Sequence, residues 1–196
     1  TVRRALSMLA DGMFVQPIHG KGVRVIWLKG ETDMLGALEE VESFGEFAKR
    51  NNAVASTEVK SFEHLICTEQ LSRRLGFKVG EELIRVVRVR SLNGNARQVD
   101  HGYFLESIAK GLTPEIAAKS IYDYLEHKRG VKVMASRRTV SVELANDEDC
   151  SYLDLGKYNC VAVMESQSYT SDGILFEVTH ARTHPEIFHY RVNSKR

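Results

Sequence analysis

Residues 83–104 read LIRVVRVRSLNGNARQVDHGYF. Leu83–Ser91 predicts a strong strand and Gln98–Phe104 a second one paired with it. Asn93-Gly94 between them supplies the positive φ that a tight turn needs. Strands joined by so short a connection run antiparallel. The pattern recurs where Cys160–Tyr169 and Ile174–Arg182 flank the turn Thr170-Ser171-Asp172-Gly173. Further strands are predicted over Ala53–Lys60, Val131–Glu143 and Phe188–Val192, and helices over Ser43–Arg50, Glu69–Arg74, Thr113–Lys119 and Ser120–Lys128. Thr113-Pro114 places a cap before proline at the first helical position, and Gly130 is a plausible stop. Hairpins without crossovers, with helices between them, predict an α+β domain: an antiparallel sheet with flanking helices.

Arg88 and Arg90 fall on one face of their strand, together with Ile84 and Val86. Two cations on an otherwise apolar strand face cost desolvation unless an anion answers them, or unless the strand is an edge with its arginines in water. Ser43-Phe44-Gly45-Glu46 has the Ser-x-x-Glu form of a capping box, and Ser120-Ile121-Tyr122-Asp123 begins with a serine cap followed by an acid at the third helical position. Both serines are accounted for as caps, yet a helix start also offers free N–H groups to an anion. Two arginines and two such starts predict a phosphate pocket. Glu177 lies in mid-strand, where an acid needs a partner or solvent. Asp100 depends on the turn. A two-residue turn opposes it to Val87 and turns it away from Arg88; a three-residue loop over Leu92-Asn93-Gly94 opposes it to Val86 and puts it on the arginine face. Both acids are either ion-pair partners or acceptors for sugar hydroxyls.

Beyond this region the chain has 196 residues, 43% hydrophobic, with a formal charge of +1, so bulk charge points to neither nucleic acid nor membrane. Three cysteines, Cys67, Cys150 and Cys160, form no CxxC pair and read as reduced thiols of a cytoplasmic protein. No apolar run approaches membrane-spanning length and no signal-peptide pattern is present. His64, His101, His127, His180, His184 and His189 lack metal-ligand spacing, so neither metal nor cofactor is expected. No nucleophilic Ser-His-Asp or Cys-His order stands out, and no enzyme is expected.

The first 27 residues differ from the rest. Val2, Ala5, Leu6 and Leu9 form one apolar stripe of a helix that Asp11-Gly12 ends, with Arg3, Arg4 and Ser7 outside the stripe. Met13–Val15 and Val23–Val25 predict short strands around a turn from Gln16 to Gly22, with Lys21 at its tip. A helix followed by a hairpin is the second half of a winged helix, so the first half is expected to have been removed or to lie outside the sequence. Arg3, Arg4, Lys21 and Arg24 against Asp11 alone suit phosphate contact, as they also suit a solvated helix and a plain hairpin. Leu28–Leu38 reads as a linker, with Trp27 as a packing residue at the junction.

The order Thr1-Val2-Arg3-Arg4-Ala5-Leu6, then Leu9, Gly12 and Gly20-Lys21-Gly22-Val23, resembles the recognition helix and wing of the GntR family of transcription regulators. The resemblance implies operator DNA as a partner, with Thr1, Arg3, Arg4, Gly20, Lys21 and Gly22 at its grooves. From about Glu31 onward the chain resembles the UTRA effector domain of that family's HutC branch. The residues that carry this are Ser43-Phe44, Arg88-Val89-Arg90, Asp100 before Tyr103-Phe104, Ser120 to Glu126, and Glu177. Asn146-Asp147-Glu148-Asp149 and Leu153 to Tyr158 are similar to the subgroup that represses trehalose operons. These likenesses imply a chorismate-lyase-like fold, a homodimer, and a sugar-phosphate effector, trehalose 6-phosphate. They imply Ser43, Phe44, Arg88, Arg90, Ser120 and Tyr122 around the phosphate, and Asp100 and Glu177 toward the sugar. Thr183 stands where relatives carry an aromatic or histidine ligand. The expected division is 1–27, part of a winged helix-turn-helix, and 28–196, an effector-binding and dimerisation domain. The expected function is a repressor released from its operator by the effector. An amino-sugar phosphate or other small anion is the alternative effector, and a lyase of the same fold the rival class.

Overall fold

The computed structural model describes residues 1–26, 35–36 and 41–190. Trp27, and all of the expected linker 28–38 except Leu35 and Gly36, lie outside the described residues, as does the end of the expected last strand at Val192.

Helix α1 (Val2–Asp11) forms with the expected stripe, but it buries no residue: Val2 is 78% and Leu9 42% exposed. Strands β1 (Val15–Ile18) and β2 (Gly22–Val25) pair antiparallel from Val15 opposite Val25 to Ile18 opposite Gly22. The expected long turn from Gln16 to Gly22 therefore contracts to His19-Gly20-Lys21. Gly20 (φ 72°) and Gly22 (φ 86°) take left-handed conformations that close it. Met13, placed in a strand from its β propensity, instead turns the chain out of the helix at φ 58°.

The two-residue β3 (Leu35–Gly36) is followed by α2 (Phe44–Arg50). Ser43 and Glu46 cap each other in the predicted box, with Glu46 N–H donating to Ser43 Oγ at 3.3 Å and Ser43 N–H donating to Glu46 Oε2 at 2.8 Å. Then come β4 (Ala55–Ile66), α3 (Glu69–Leu75), β5 (Glu82–Leu92), β6 (Asn95–Leu105), α4 (Pro114–Ala117) and α5 (Ile121–Arg129). The chain continues with β7 (Val133–Leu144), α6 (Asp147–Tyr152), β8 (Cys160–Thr170), β9 (Leu175–Thr183), a 3-10 turn (Pro185–Ile187) and β10 (His189–Tyr190). Strand β4 extends well past the predicted Lys60, because polar residues are tolerated on an edge. Helix α6 has no counterpart among the predicted elements; its Asn146–Asp149 capping box encloses only one turn and a half, too short for an apolar period.

Six strands form one antiparallel sheet in the order β4-β5-β6-β9-β8-β7. The last strand departs from expectation: β10 pairs in parallel with β3, outside this sheet. Against one face pack Ala117, Ile121 and Leu125, in a cluster with Ile84, Val86, Phe104 and Phe176. On the opposite face Leu153 and Leu155, just beyond α6, cover Val87, Val99, Val161 and Val163. Arg182 fastens α6 to the sheet, donating through Nε and Nη2 to Asp149 at 2.9–3.0 Å.

The central hairpin takes neither register derived from its turn. Asn93 (φ 51°) and Gly94 (φ 82°) form a two-residue turn, with Leu92 opposite Asn95. Arg97 is then an extra residue, a β-bulge, so Arg90 lies opposite Gln98 and Arg88 opposite Asp100. The bulged Arg97 carbonyl accepts a hydrogen bond from His184 N–H at 2.8 Å. The bulge, which no turn rule reveals, restores Asp100 to the arginine face.

The candidate effector site

The eight residues named for a ligand, Ser43, Phe44, Arg88, Arg90, Asp100, Ser120, Tyr122 and Glu177, all line one cavity of about 170 Å³. Its floor is a row of side chains from one sheet face: Arg88 and Arg90 on β5, Asp100 on β6, Glu177 and Thr179 on β9, Ser166 and Ser168 on β8, and Ser136 and Arg138 on β7. The starts of α2 and α5 bring Ser43, Phe44, Ser120 and Tyr122 to its walls.

Arg88 is not on an edge. It is 3% exposed on the second strand, which overturns the reading of arginines in water. One carboxylate oxygen, Asp100 Oδ2, accepts from Arg88 Nη2, from Arg90 Nε at 3.1 Å and from Arg90 Nη2 at 2.8 Å. Burial alone would raise the Asp100 carboxyl, but the charges and hydrogen bonds of the two arginines outweigh it and hold it at about 2. Burial, and then the Arg90 charge, pull the Arg88 guanidinium below its ordinary value against the opposing pull of Asp100 and Glu177. Arg88 Nε is the one buried side-chain nitrogen or oxygen among the described residues that lacks a hydrogen-bond partner. The Arg90 guanidinium also lies over the Phe44 ring, 5.1 Å from its centroid.

Glu177 is buried and has a different partner. Tyr122 donates its hydroxyl proton to Glu177 Oε2, and Tyr122 also meets Ser168 Oγ at 3.2 Å. Burial raises the Glu177 carboxyl despite hydrogen bonds from Tyr122 and Ser168 that lower it. Burial also raises the Tyr122 hydroxyl well above its ordinary value, with the Glu177 charge adding to it. The cavity therefore has a cationic end at Arg88 and Arg90 and a hydroxyl-rich end at Tyr122, Glu177 and the serines. Ser120 keeps its capping bond, accepting from Asp123 N–H at 3.2 Å.

Sequence reading missed Lys119 and Arg138, two further cations on the lining, and the serines of β7 and β8. Ser136-x-Arg138 and Ser166-x-Ser168 repeat the alternation that singled out Arg88-x-Arg90, so a signal was present. Thr183 also lines the cavity, donating to Gln98 Oε1 at 3.4 Å. Among the histidines, His101 pairs with Glu148 at 2.8 Å, His64 with Glu106 at 2.9 Å, and buried His184 with the Asp154 carbonyl at 3.0 Å. Arg3, Arg4 and Thr1 are exposed on or beside α1, and Gly20, Lys21 and Gly22 are exposed at the β1–β2 turn.

A sheet domain with a polar cavity under two helix starts, in a chain that also carries a basic helix and hairpin, has the makings of a ligand-responsive transcriptional regulator. Residues 50–189 match the UTRA domain family. The HTH-type transcriptional regulator TreR of Bacillus subtilis is 30% identical over 190 residues, 97% of this chain and 79% of that protein. The solved effector binding domain of the B. subtilis trehalose repressor is 27% identical, with a TM-score of 0.64 over 72% of this chain and 98% of that one. The structure of a possible transcriptional regulator, YydK of B. subtilis, has a TM-score of 0.75 at 22% identity, covering 99% of this chain and 82% of that one. The chain belongs to the UTRA-domain family of GntR-type transcriptional regulators. Relatives of this kind are named as regulators and not as enzymes, which removes the lyase alternative.

Proposed function

We propose that the protein is a repressor that binds operator DNA as a dimer and is released by a sugar phosphate, with trehalose 6-phosphate as the first candidate. Residues 1–27 are then part of a winged helix-turn-helix, and 28–196 the effector-binding and dimerisation domain. The observation that carries the reading is the buried Arg88, whose Nε has no partner, beside Arg90 and below the starts of α2 and α5. A phosphate there gains charge-assisted hydrogen bonds worth about 1.5–3 kcal/mol each. In this reading Ser43, Phe44, Arg88, Arg90, Ser120 and Tyr122 surround the phosphate, and Asp100 and Glu177 face sugar hydroxyls. The similarity to TreR supports trehalose 6-phosphate over other sugar phosphates. An amino-sugar phosphate uses the same cationic end and differs only at the hydroxyl-rich end. Release requires that the effector bind the non-DNA-binding arrangement more tightly than the DNA-binding one.

Calorimetry with trehalose 6-phosphate, glucose 6-phosphate, glucosamine 6-phosphate and trehalose tests this. The expected order puts trehalose 6-phosphate first and trehalose last. Arg88→Ala is expected to weaken sugar-phosphate binding about tenfold to a hundredfold or more. If trehalose binds as tightly as its phosphate, or Arg88→Ala binds normally, the phosphate pocket is wrong.

A further inference from the structure

The reverse face of the sheet carries a second cavity, of about 370 Å³, in the gap between α3 and the start of α6. Two cross-strand rows form its floor. Tyr103, Val178, Gln167 and Arg137 stand in register across β6, β9, β8 and β7. His101, His180, Glu165 and Thr139 form the next row on the same face. Side chains alternate along a strand, so the row between these two, with Thr179, Ser166 and Arg138, points the other way, into the effector cavity. The charges on the reverse face do not balance. Glu165 is bonded to His180, and His101 to Glu148 of α6. Asp149 and Glu143 answer Arg182. Arg74, in the last turn of α3, donates to the Tyr103 hydroxyl at 2.8 Å, with its guanidinium 5.5 Å from the centroid of that ring. That holds its charge over the floor. Neither Arg74 nor Arg137 has an acidic partner among the described residues.

We propose that this cavity is a second ligand site, for a small organic molecule with two anionic groups, carboxylate or phosphoryl, held between Arg74 and Arg137. The two arginines serve opposite ends of one row, and three strand spacings, roughly 14 Å at the backbone, separate Tyr103 from Arg137. A compact anion answers one of them; a molecule with a negative group at each end answers both. Between the ends the floor is uncharged, with Val178 and Gln167 in the row and Leu75 on the wall, and it suits the carbon body of such a molecule. Glu165 and Glu148 beside the second row disfavour a longer polyanion such as nucleic acid. The volume is that of a small-molecule site. Ser166 and Thr179 line both cavities, so one thickness of sheet separates this site from the proposed effector site.

The test is calorimetry on the full-length protein with two six-carbon probes, fructose 1,6-bisphosphate and adipate, which carry phosphoryl and carboxylate groups respectively. At least one is expected to bind, and which one does identifies the anionic group. Arg74→Ala with Arg137→Ala, both at exposed positions, is expected to remove one probe site per chain or weaken it at least about tenfold. The same double variant should keep the parental thermal shift with trehalose 6-phosphate. Lys78→Ala with Lys128→Ala, exposed cations outside the cavity lining, should bind the probe as the parent does. No binding of either probe at about 10 mM, where a millimolar site is mostly filled, overturns the second site. So does probe binding that survives Arg74→Ala with Arg137→Ala, which puts the probe elsewhere. An equal loss in the lysine variant also overturns it, by showing diffuse surface attraction. A parent protein that ignores trehalose 6-phosphate strikes the effector reading alone and leaves the contrast between the arginine and lysine variants to decide the second site.

Discussion

Arg88, Arg90 and Asp100 set two positive charges against one negative charge in a site where Arg88 and Asp100 are almost fully buried. Removing the carboxylate charge leaves Arg88 without its compensating partner, a change that costs about 3–5 kcal/mol at buried pairs. Asp100→Asn is therefore expected to lower the thermal midpoint markedly, and millimolar inorganic phosphate to recover more of it in the variant than in the parent. Equal recovery in both proteins would show that the arginines do not need the anion. The pH dependence has a definite sign. Asp100 falls from an ordinary 3.8 to about 2 in the folded chain, so its stabilisation is fully present above pH 3.8 and is lost as pH drops toward 2. Acid titration by circular dichroism should show this loss in the parent and not in Asp100→Asn. The arginine pair was legible from alternation alone. That one carboxylate oxygen joins both was not, because it depends on a bulge in the partner strand, beside Arg90, that the turn does not announce.

Among the elements, the strong β5–β6 hairpin, the β8–β9 hairpin and the capped starts of α2 and α5 were legible, because turn and cap chemistry is local. What local chemistry could not supply was pairing between distant segments: β6 against β9 at the sheet centre, β3 against β10 in parallel, and α6 held by an arginine on β9. Ser43 illustrates how one residue carries a structural and a proposed ligand role that substitution can separate. Ser43→Ala should cost about 1 kcal/mol by removing the helix cap. Ser43→Asp keeps a capping oxygen and a favourable charge at the helix start, yet brings a negative charge to the cavity wall. It should match the parent in thermal stability and lose most of its sugar-phosphate affinity. Unchanged affinity in Ser43→Asp would remove Ser43 from the phosphate shell.

At the scale of the molecule, the contrast between a basic N-terminal helix and hairpin and a sheet domain could be read before any coordinates, because the two differ in charge and period. Arg3, Arg4 and Lys21 all lie at exposed positions in the structure. In the whole regulator, replacing each by alanine should weaken operator binding. It should also flatten the plot of log affinity against log salt by about one unit of slope for every DNA phosphate that is no longer neutralised. Fluorescence anisotropy across a salt series measures that slope. A triple variant with the parental slope would mean that these cations do not touch DNA.

The bulge at Arg97 makes the length of β6 as consequential as its composition. Substitution there should be mild, since the side chain reaches only Glu186 at the surface and the backbone carbonyl accepts from His184 N–H whatever side chain it carries. Removing Arg97 joins Ala96 directly to Gln98 and still leaves Arg88 opposite Asp100, at the cost of the carbonyl that His184 N–H uses. An added residue is another matter. One more residue between Val99 and Asp100 would set Val87 against Asp100 and carry every later side chain of β6 to the wrong side of the sheet, sending Asp100 toward Val161 and Val163 and His101 toward the arginines. Arg97→Ala should bind effector as the parent does, while insertion of one alanine between Val99 and Asp100 should yield little folded protein and no response. Natural descendants of this gene are thus expected to vary freely in the letter at position 97 and to admit no added residue between it and Asp100.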